Sequence, residues 1–326
     1  MSQAASRQQP WAEFEPYRGE LVAYCYRMLG SFHEAEDLVQ ETMLRAWRAR
    51  DRYDRTRASV RTWLYRIAAN VCLTALQGRA RRPLPSGLGQ AGDDPREPFR
   101  PGHAVPWLEP LPDALLRPAG GDDPAAVLLA RGTLRLALVA AMQLLPPRQR
   151  AVLILRDVLD LPAAEAAEVL DTTTAAVNSA LQRARHRLGE AGLGEDQVTE
   201  PADPAARGVV DRYIAAFEAA DVAGLTRLLA ADAVLEMPPM LNWYAGRDAY
   251  AAFIARVFDM RGTDWRMRPA AANGQPAVAA YVRGDGAYHL HTLQVFTVAG
   301  PYVTRNVSYF DPALAAPFGL PAELPA

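Results

Sequence analysis

The chain predicts a multidomain fold: two all-α domains, a Pro-rich connection between them, and an α+β cone at the end. Three observations predict it. Residues 12 to 80 are dense in helix signals and nearly free of interior Gly and Pro. Residues 145 to 188, LPPRQRAVLILRDVLDLPAAEAAEVLDTTTAAVNSALQRARHRL, read as a helix, a break, a short helix, a tight turn and a further helix. Residues 206 to 326 open with helical periodicity and close with four alternating or apolar runs. Helices followed by a long antiparallel meander fold as an α+β unit.

Bulk properties narrow the classes. A length of 326 residues accommodates two to three domains. The net charge of -2 carries no global basic signature, so any nucleic-acid surface must be local. No apolar run approaches the roughly 18 residues that span a bilayer. The first residues, MSQAASRQQPWAEFEPYRGE, lack the apolar centre of a signal peptide. A soluble, cytoplasmic protein is expected, with no membrane partner. Cys25 and Cys72 form neither a disulfide framework nor a metal motif and are expected as buried free thiols. The chain has no lysine, a pattern of coding bias rather than of selection for bidentate phosphate contacts.

In the first all-α part, Glu20 to Leu29 carries Leu21, Val22, Tyr24, Cys25 and Met28 at buried-helix positions. Gly30-Ser31 ends that helix, and Ser31 stands three residues before Glu34, a capping-box spacing. The next helix, His33 to Arg48, turns Ala35, Leu38, Val39, Thr42, Met43, Ala46 and Trp47 inward. Asp37, Gln40, Glu41 and Arg45 fall on its outer face. An Arg-rich connection over 50 to 61 leads to a third helix, Val60 to Arg79. Trp63, Leu64, Ile67, Ala68, Val71 and Cys72 make its apolar stripe, and Arg61, Arg66 and Asn70 lie opposite.

DLVQETMLRAWR (37–48) followed by SVRTWLYRIAANVCLTALQGRARR (59–82) resembles the promoter-melting domain of bacterial sigma factors, in the small extracytoplasmic-function (ECF) type. Both patterns are long and stand in the family's order, and with 145–188 they cover both DNA-reading halves of such a factor. The resemblance implies that residues 1–82 bind core RNA polymerase and the −10 element. It assigns Asp37, Gln40, Glu41 and Arg45 to a coiled coil of the β′ subunit; on charge alone these residues would read as a solvated face with intrahelical ion pairs. It assigns the 50–61 loop and the following helix to capture of a flipped base and duplex melting, which needs apolar or stacking groups and hydrogen bonds to a base edge. Arg52, Arg55, Arg57, Arg61, Arg66 and Asn70 are the candidates, Arg79, Arg81 and Arg82 track phosphates, and Trp63 is expected in the core.

Residues 83–124 change character: Pro and Gly recur, and the stretch reads as a linker. WLEPLPD (107–113) places apolar residues inside it, which calls for a partner surface. By resemblance, the linker of ECF factors threads through the polymerase toward the RNA exit path. A local polyproline turn packed on a neighbouring domain is the equal alternative.

Residues 125–190 form the second all-α part. Ala125 to Leu145 is its first helix, Gln149 to Leu159 the next, and Leu161-Pro162 opens the first helix of a helix-turn-helix. Leu170-Asp171-Thr172-Thr173 is the turn. Family members often carry Gly where Asp171 stands, and Asp tolerates the left-handed conformation. Thr173 is the expected N-cap. The helix from Thr174 to Leu188 seats Val177, Leu181, Ala184 and Leu188 inward. Thr174, Ala175, Asn178, Ser179, Gln182 and Arg183 face outward with no acidic residue among them, groups that suit a major groove. The resemblance makes that groove the −35 element; Arg185 and Arg187 are expected on phosphates.

A linker over 191–205 leads to residues 206–326. VVDRYIAAFEAADVAGLTRLLAADAVLEMPP with WYAGRDAYAAFIARVF is similar to the SnoaL-like, NTF2-like superfamily, which wraps a curved sheet around one pocket. Met237, Trp243, Tyr244, Phe253, Trp265, His289 and His291 are candidates to line a small-molecule pocket, or else to pack a core. His289 and His291 share a strand face, but no nearby carboxylate or thiol completes a metal set. No acid–base pair is fixed, so no catalytic residue, cofactor or metal is assigned.

The expectation is therefore a transcription initiation factor and not an enzyme. Its partners are core RNA polymerase, through β′ and β, promoter DNA, and a small-molecule ligand if the cone is open. Fusion to an otherwise complete factor suggests that the C-terminal domain regulates it in cis, in either direction. A helix-turn-helix regulator with a ligand sensor would not need the 33–82 patterns, and a SnoaL-type enzyme lacks its catalytic pair.

Overall fold

The computed structural model describes residues 12–56, 58–116, 134–190 and 204–326. Among them, residues 12–80, 115–116 and 141–190 form one compact unit and residues 81–114, 134–140 and 204–326 a second.

The first unit is helical. Arg18–Leu29 (α1) stops at Gly30, whose φ of 72° is left-handed and whose N–H donates to the Tyr26 carbonyl at 2.7 Å. A Cβ would be strained at that φ, so glycine ends the helix sharply. Phe32–Ala49 (α2) starts on Ser31, whose hydroxyl accepts the Glu34 N–H at 3.2 Å as the spacing predicts. Val60–Ala75 (α3) starts on Ser59, whose hydroxyl accepts from Thr62 N–H at 3.0 Å. It ends four residues short of the predicted Arg79, and Gly78 turns the chain at φ 70°. Cys25 of α1 and Cys72 of α3 are buried free thiols with sulfurs 3.6 Å apart.

Leu136–Met142 (α4) is shorter than predicted; its first residues count with the second unit, and 117–133 lie outside the described residues. Pro147–Leu153 (α5) begins with Pro at its first position and passes into a π-helical turn, Ile154–Val158. Ala163–Val169 (α6) and Thr174–Glu190 (α7) form the helix-turn-helix. Asp171 in the turn has φ 49°, the conformation expected of it, and the Thr173 hydroxyl accepts Ala176 N–H at 3.2 Å.

In the second unit, Pro204–Glu218 (α8), Val222–Leu228 (α9) and Arg247–Arg261 (α10) pack on a sheet. Its strands are Leu229–Glu236 (β1), Trp243–Ala245 (β2), Trp265–Ala272 (β3), Gln275–Arg283 (β4), Ala287–Ala299 (β5), Tyr302–Tyr309 (β6) and Glu323–Pro325 (β7). The order is β2-β1-β6-β5-β4-β3, with β7 beside β5. The predicted antiparallel meander is β3 to β6, and β1 joins it by pairing with β6 in parallel, Val234 opposite Arg305 and Glu236 opposite Val307. Tyr213, Phe217, Phe253, Phe258, Trp265 and Phe296 belong to one buried core cluster of this unit.

Residues 81–114 belong to this second unit as a strap. Gly92 N–H donates to Trp243 O at 2.8 Å, Leu241 N–H to Arg100 O at 2.8 Å and Gly102 N–H to Pro239 O at 2.7 Å. Leu108 and Leu111 are fully buried. Of the two readings of WLEPLPD, the structure shows packing on a neighbouring domain.

Candidate functional site

The outer face of α7 is exposed at Thr174, Ala175, Asn178, Ser179, Gln182, Arg183, Arg185 and Arg187, while Val177, Ala180, Leu181 and Ala184 are buried beneath. Arg183 reaches back to the Ser179 hydroxyl. Arg185 differs from its neighbours: its guanidinium grips both oxygens of Asp157, at 2.9 and 2.7 Å, tying α7 to the turn that precedes α6. Such a fork-to-fork pair fixes orientation, so the expected phosphate contact has a structural competitor. Asp157 was not singled out from the sequence, since its partner lies 28 residues away.

The expected −10 set is dispersed in the same way. Arg52 and Arg55 are exposed on the loop, Arg66 and Asn70 are exposed on α3, and Arg57 lies outside the described residues. Arg61 is held by Glu20 at 2.8 Å and lies over the Tyr65 ring. Arg79 pairs with Glu34 at 2.7 Å. In the second unit Arg81 donates to Gly87 O at 2.8 Å, and Arg82 to Trp107 O at 3.1 Å, holding the strap's own turns. Trp63 is half-buried rather than in the core, stacked on Tyr53 at 4.6 Å with Phe14 against its edge.

On α2, Asp37, Gln40 and Arg45 are exposed and Glu41 is half-exposed, with Arg45 to Glu41 at 2.6 Å across one turn. That pair is the i,i+4 arrangement the sequence suggests.

In the cone, Met237, Tyr244, Phe253 and Trp265 are buried in the apolar core. Trp243 is half-exposed, and its indole N–H donates to Gly89 O at 3.2 Å on the strap. His289 lies 3.2 Å from Glu323, a carboxylate distant in sequence that the short strand β7 brings beside β5. His291 sits between Trp265 and Phe310. Burial, and then Arg261, lower its pKa to about 4. Among the described residues no three His, Cys, Asp or Glu side chains are grouped to hold a metal. No described helix is long and apolar enough to cross a membrane.

Two polar features were missed. Tyr213, Tyr250, Asn306, Gln294 and Thr292 form a buried hydrogen-bonded chain inside the cone, with Asn306 donating to Tyr250 Oη at 2.6 Å and to Gln294 at 2.9 Å. Burial pushes the Tyr213 phenol up to about 12. The β3–β4 turn is a clasp. Asn273, fully buried at φ 58°, accepts Leu111 N–H at 2.8 Å, donates its own N–H to Leu111 O at 2.8 Å and donates its amide to Leu134 O at 2.7 Å. Gly274 N–H donates to Asp113 at 2.8 Å, and Gln275 accepts Leu136 N–H at 2.9 Å. Asn-Gly between two alternating runs signals a hairpin, but nothing local indicates what that hairpin holds.

The sequence matches the family Sigma-70 region 2 over residues 14–82, Sigma-70 region 4 over 135–188 and the SnoaL-like domain over 210–306. It is 48% identical to the ECF RNA polymerase sigma factor SigG of Mycobacterium tuberculosis, over 96% of this chain and 84% of that protein. It is 30% identical to SigJ, an ECF RNA polymerase sigma factor of the same organism, over 77% of this chain and 74% of that protein. The crystal structure of the M. tuberculosis SigJ factor superimposes with a TM-score of 0.64 at 25% identity, covering 95% of this chain and 99% of that one.

Proposed function

Because the chain belongs to the ECF RNA polymerase sigma factors, we propose the following division of its work. The protein is a transcription initiation factor and not an enzyme; core RNA polymerase and promoter DNA are its partners. Residues 1–82 dock on β′ through Asp37, Gln40, Glu41 and Arg45 and melt the −10 region. Arg52, Arg55, Arg57, Arg66 and Asn70 meet that strand, with Arg61, Arg79, Arg81 and Arg82 doing so where they give up their internal partners. Residues 125–190 read −35 DNA through Thr174, Ala175, Asn178, Ser179, Gln182 and Arg183, with Arg185 and Arg187 on the backbone. Residues 83–124 and 191–205 connect these parts to the cone of 206–326.

The observation that carries this reading is the exposed face of α7 from Thr174 to Arg187, free of acidic residues, after a capped helix-turn-helix, combined with an exposed polar face on α3 in the same chain. The test is in vitro transcription with core polymerase and a promoter selected from the factor's own targets. Specific initiation and a stable core complex are the expected outcome; the absence of both would remove the reading.

A cis-regulatory role for residues 206–326 rests on the strap, since the cone holds the connection between the two DNA readers through Asn273, Gln275 and Glu236. A chain truncated after residue 200 should differ in promoter output from the full chain; equal output across several truncation points would exclude the role. A small-molecule ligand is the finer reading for the cone, and the chain from Tyr213 to Thr292 is the polar surface it would meet there. Calorimetry against a compound library tests that directly.

A further inference from the structure

The buried core of the second unit packs Tyr213, Phe217, Phe258 and Phe296 ring against ring. At the edge of that core, between α8 and the β3–β4 turn, lies a cavity of about 320 Å³. Small-molecule sites run from about 300 to 1,000 Å³, so this one suits a small ligand. Val210 and Ile214 of α8, with Pro269 of β3 and Pro276 of β4, give it apolar walls. Arg207 and Asp211 stand beside them on α8, both exposed. None of the buried polar chain from Tyr213 to Thr292 lines it. Among the described residues neither Arg207 nor Asp211 makes an ion pair. On α2 the same spacing, with the acid first, does pair, Arg45 to Glu41 at 2.6 Å. On α8 the base comes first, the weaker order. Arg207 also sits in the first turn of α8, which holds no acidic residue. A cation there opposes the helix dipole and gains from an incoming anion.

We propose that this cavity binds a free α-amino acid with a branched aliphatic side chain. Arg207 takes the carboxylate through its paired N–H groups, Asp211 takes the ammonium, and the side chain lies on Val210, Ile214, Pro269 and Pro276. A simple anion would be repelled by Asp211 and a simple cation by Arg207, whereas a zwitterion meets both. An acidic side chain would face Asp113, which also lines the cavity. The site adjoins the clasp. Gly274 and Gln275 line it too, and they hold Asp113 at 2.8 Å and the Leu136 N–H at 2.9 Å. A ligand spanning α8 and this turn binds the closed clasp and stabilises it by mass action. Binding is a property of the free chain and does not depend on the promoter assignments.

The test titrates the full chain by NMR with L-leucine, with isocaproate, which lacks the ammonium, with isoamylamine, which lacks the carboxylate, and with dileucine. Leucine should bind about tenfold or more tightly than either single-charge analogue, the equivalent of one charge-assisted hydrogen bond. Dileucine, whose charges stand a peptide unit further apart, should also bind more weakly. Arg207→Gln and Asp211→Asn, at exposed positions, should each weaken leucine about tenfold by the same reckoning. Arg207→Gln should not weaken isoamylamine, and Asp211→Asn should not weaken isocaproate. Saturating leucine should slow exchange of the Leu136 amide hydrogen. No leucine binding at millimolar concentration, equal or tighter binding of isocaproate or dileucine, or variants that bind leucine as the parent does would each overturn the site. Leucine binding with unchanged Leu136 exchange would overturn its link to the clasp. Failure of the parent chain to direct specific initiation would instead overturn the proposed division of work, while the free-chain titrations still decide the site.

Discussion

His291 lies half-buried with Trp265 on one side and Phe310 on the other, and its charge is governed by that setting. Burial first, and then the Arg261 guanidinium, bring its pKa from 6.5 to about 4. The unfolded chain therefore takes up this proton first as the pH falls. The stability carried by neutral His291 is complete above pH 6.5, declines below it and is exhausted near pH 4. Over that window it amounts to roughly 3 kcal/mol as an upper figure. Urea denaturation of His291→Gln should show a flatter acid limb between pH 7 and 4.5 than the parent; identical slopes would show that another group sets the acid sensitivity. Other single residues are used twice over. Glu236 is fully buried, accepts Ser86 N–H at 2.9 Å and pairs with Arg305, so one carboxylate joins β1, β6 and the strap. A buried charge with both a cation and an N–H donor is compensated, whereas removing Arg305 would leave it stranded.

At the scale of elements, α7 is positioned by a local device and a distant one. Thr173 caps it, which the sequence makes legible because cap and helix are neighbours. Ser31, Gly30 and the left-handed Asp171 were legible for the same reason. The distant device is the Asp157–Arg185 pair, and neither partner indicates the other in the sequence. Arg61 with Glu20, 41 residues apart, is the same case in α3, as are the three-residue strands β2 and β7, too short to carry a period of their own. Candidate DNA residues could be assigned from helix faces together with the family resemblance; which of them already have internal partners could not. This separates two kinds of variant. Arg183→Ala should weaken binding to −35 DNA by about 1–3 kcal/mol if Arg183 reads guanine, and only for the cognate sequence. Asp157→Asn should instead weaken or reorient α7 on all sequences alike, by loosening Arg185. Electrophoretic titration of cognate and scrambled duplexes by the polymerase complex distinguishes them. Equal loss on both duplexes for Arg183→Ala would make that residue a backbone contact.

At the scale of the whole molecule, the described part of the region that reads as a linker, residues 83–116, is folded material. Pro has no N–H to satisfy, and several N–H groups left between the prolines of 83–112 bond to the cone: Ser86 to Glu236, Gly92 to Trp243, Arg100 to Asn242, Gly102 to Pro239 and Leu111 to Asn273. A Pro-rich composition therefore does not imply a free tether; here it suits a strap that follows the cone without forming a strand. The clasp at Asn273 is where this matters for function, because the same turn holds Leu111 of the strap and, through Leu134 and Leu136, the start of α4. Asn273→Ala removes an acceptor and a donor from fully buried partners and puts a Cβ-bearing residue without a compensating side chain at φ 58°. Each orphaned group costs about 1–3 kcal/mol. Exchange of the Leu108 and Leu111 amide hydrogens should then accelerate by roughly tenfold or more, since one pKa-equivalent of free energy is a factor of ten. Asn273→Gly relieves the backbone while still losing the side chain, so it should show nearly the same acceleration with less loss of global stability. If Asn273→Gly kept the strap protected, backbone geometry rather than the side-chain clasp would hold it. If both variants freed the strap and left promoter output unchanged, the strap would be a packing element only, and the cone would have to act on transcription by some other contact.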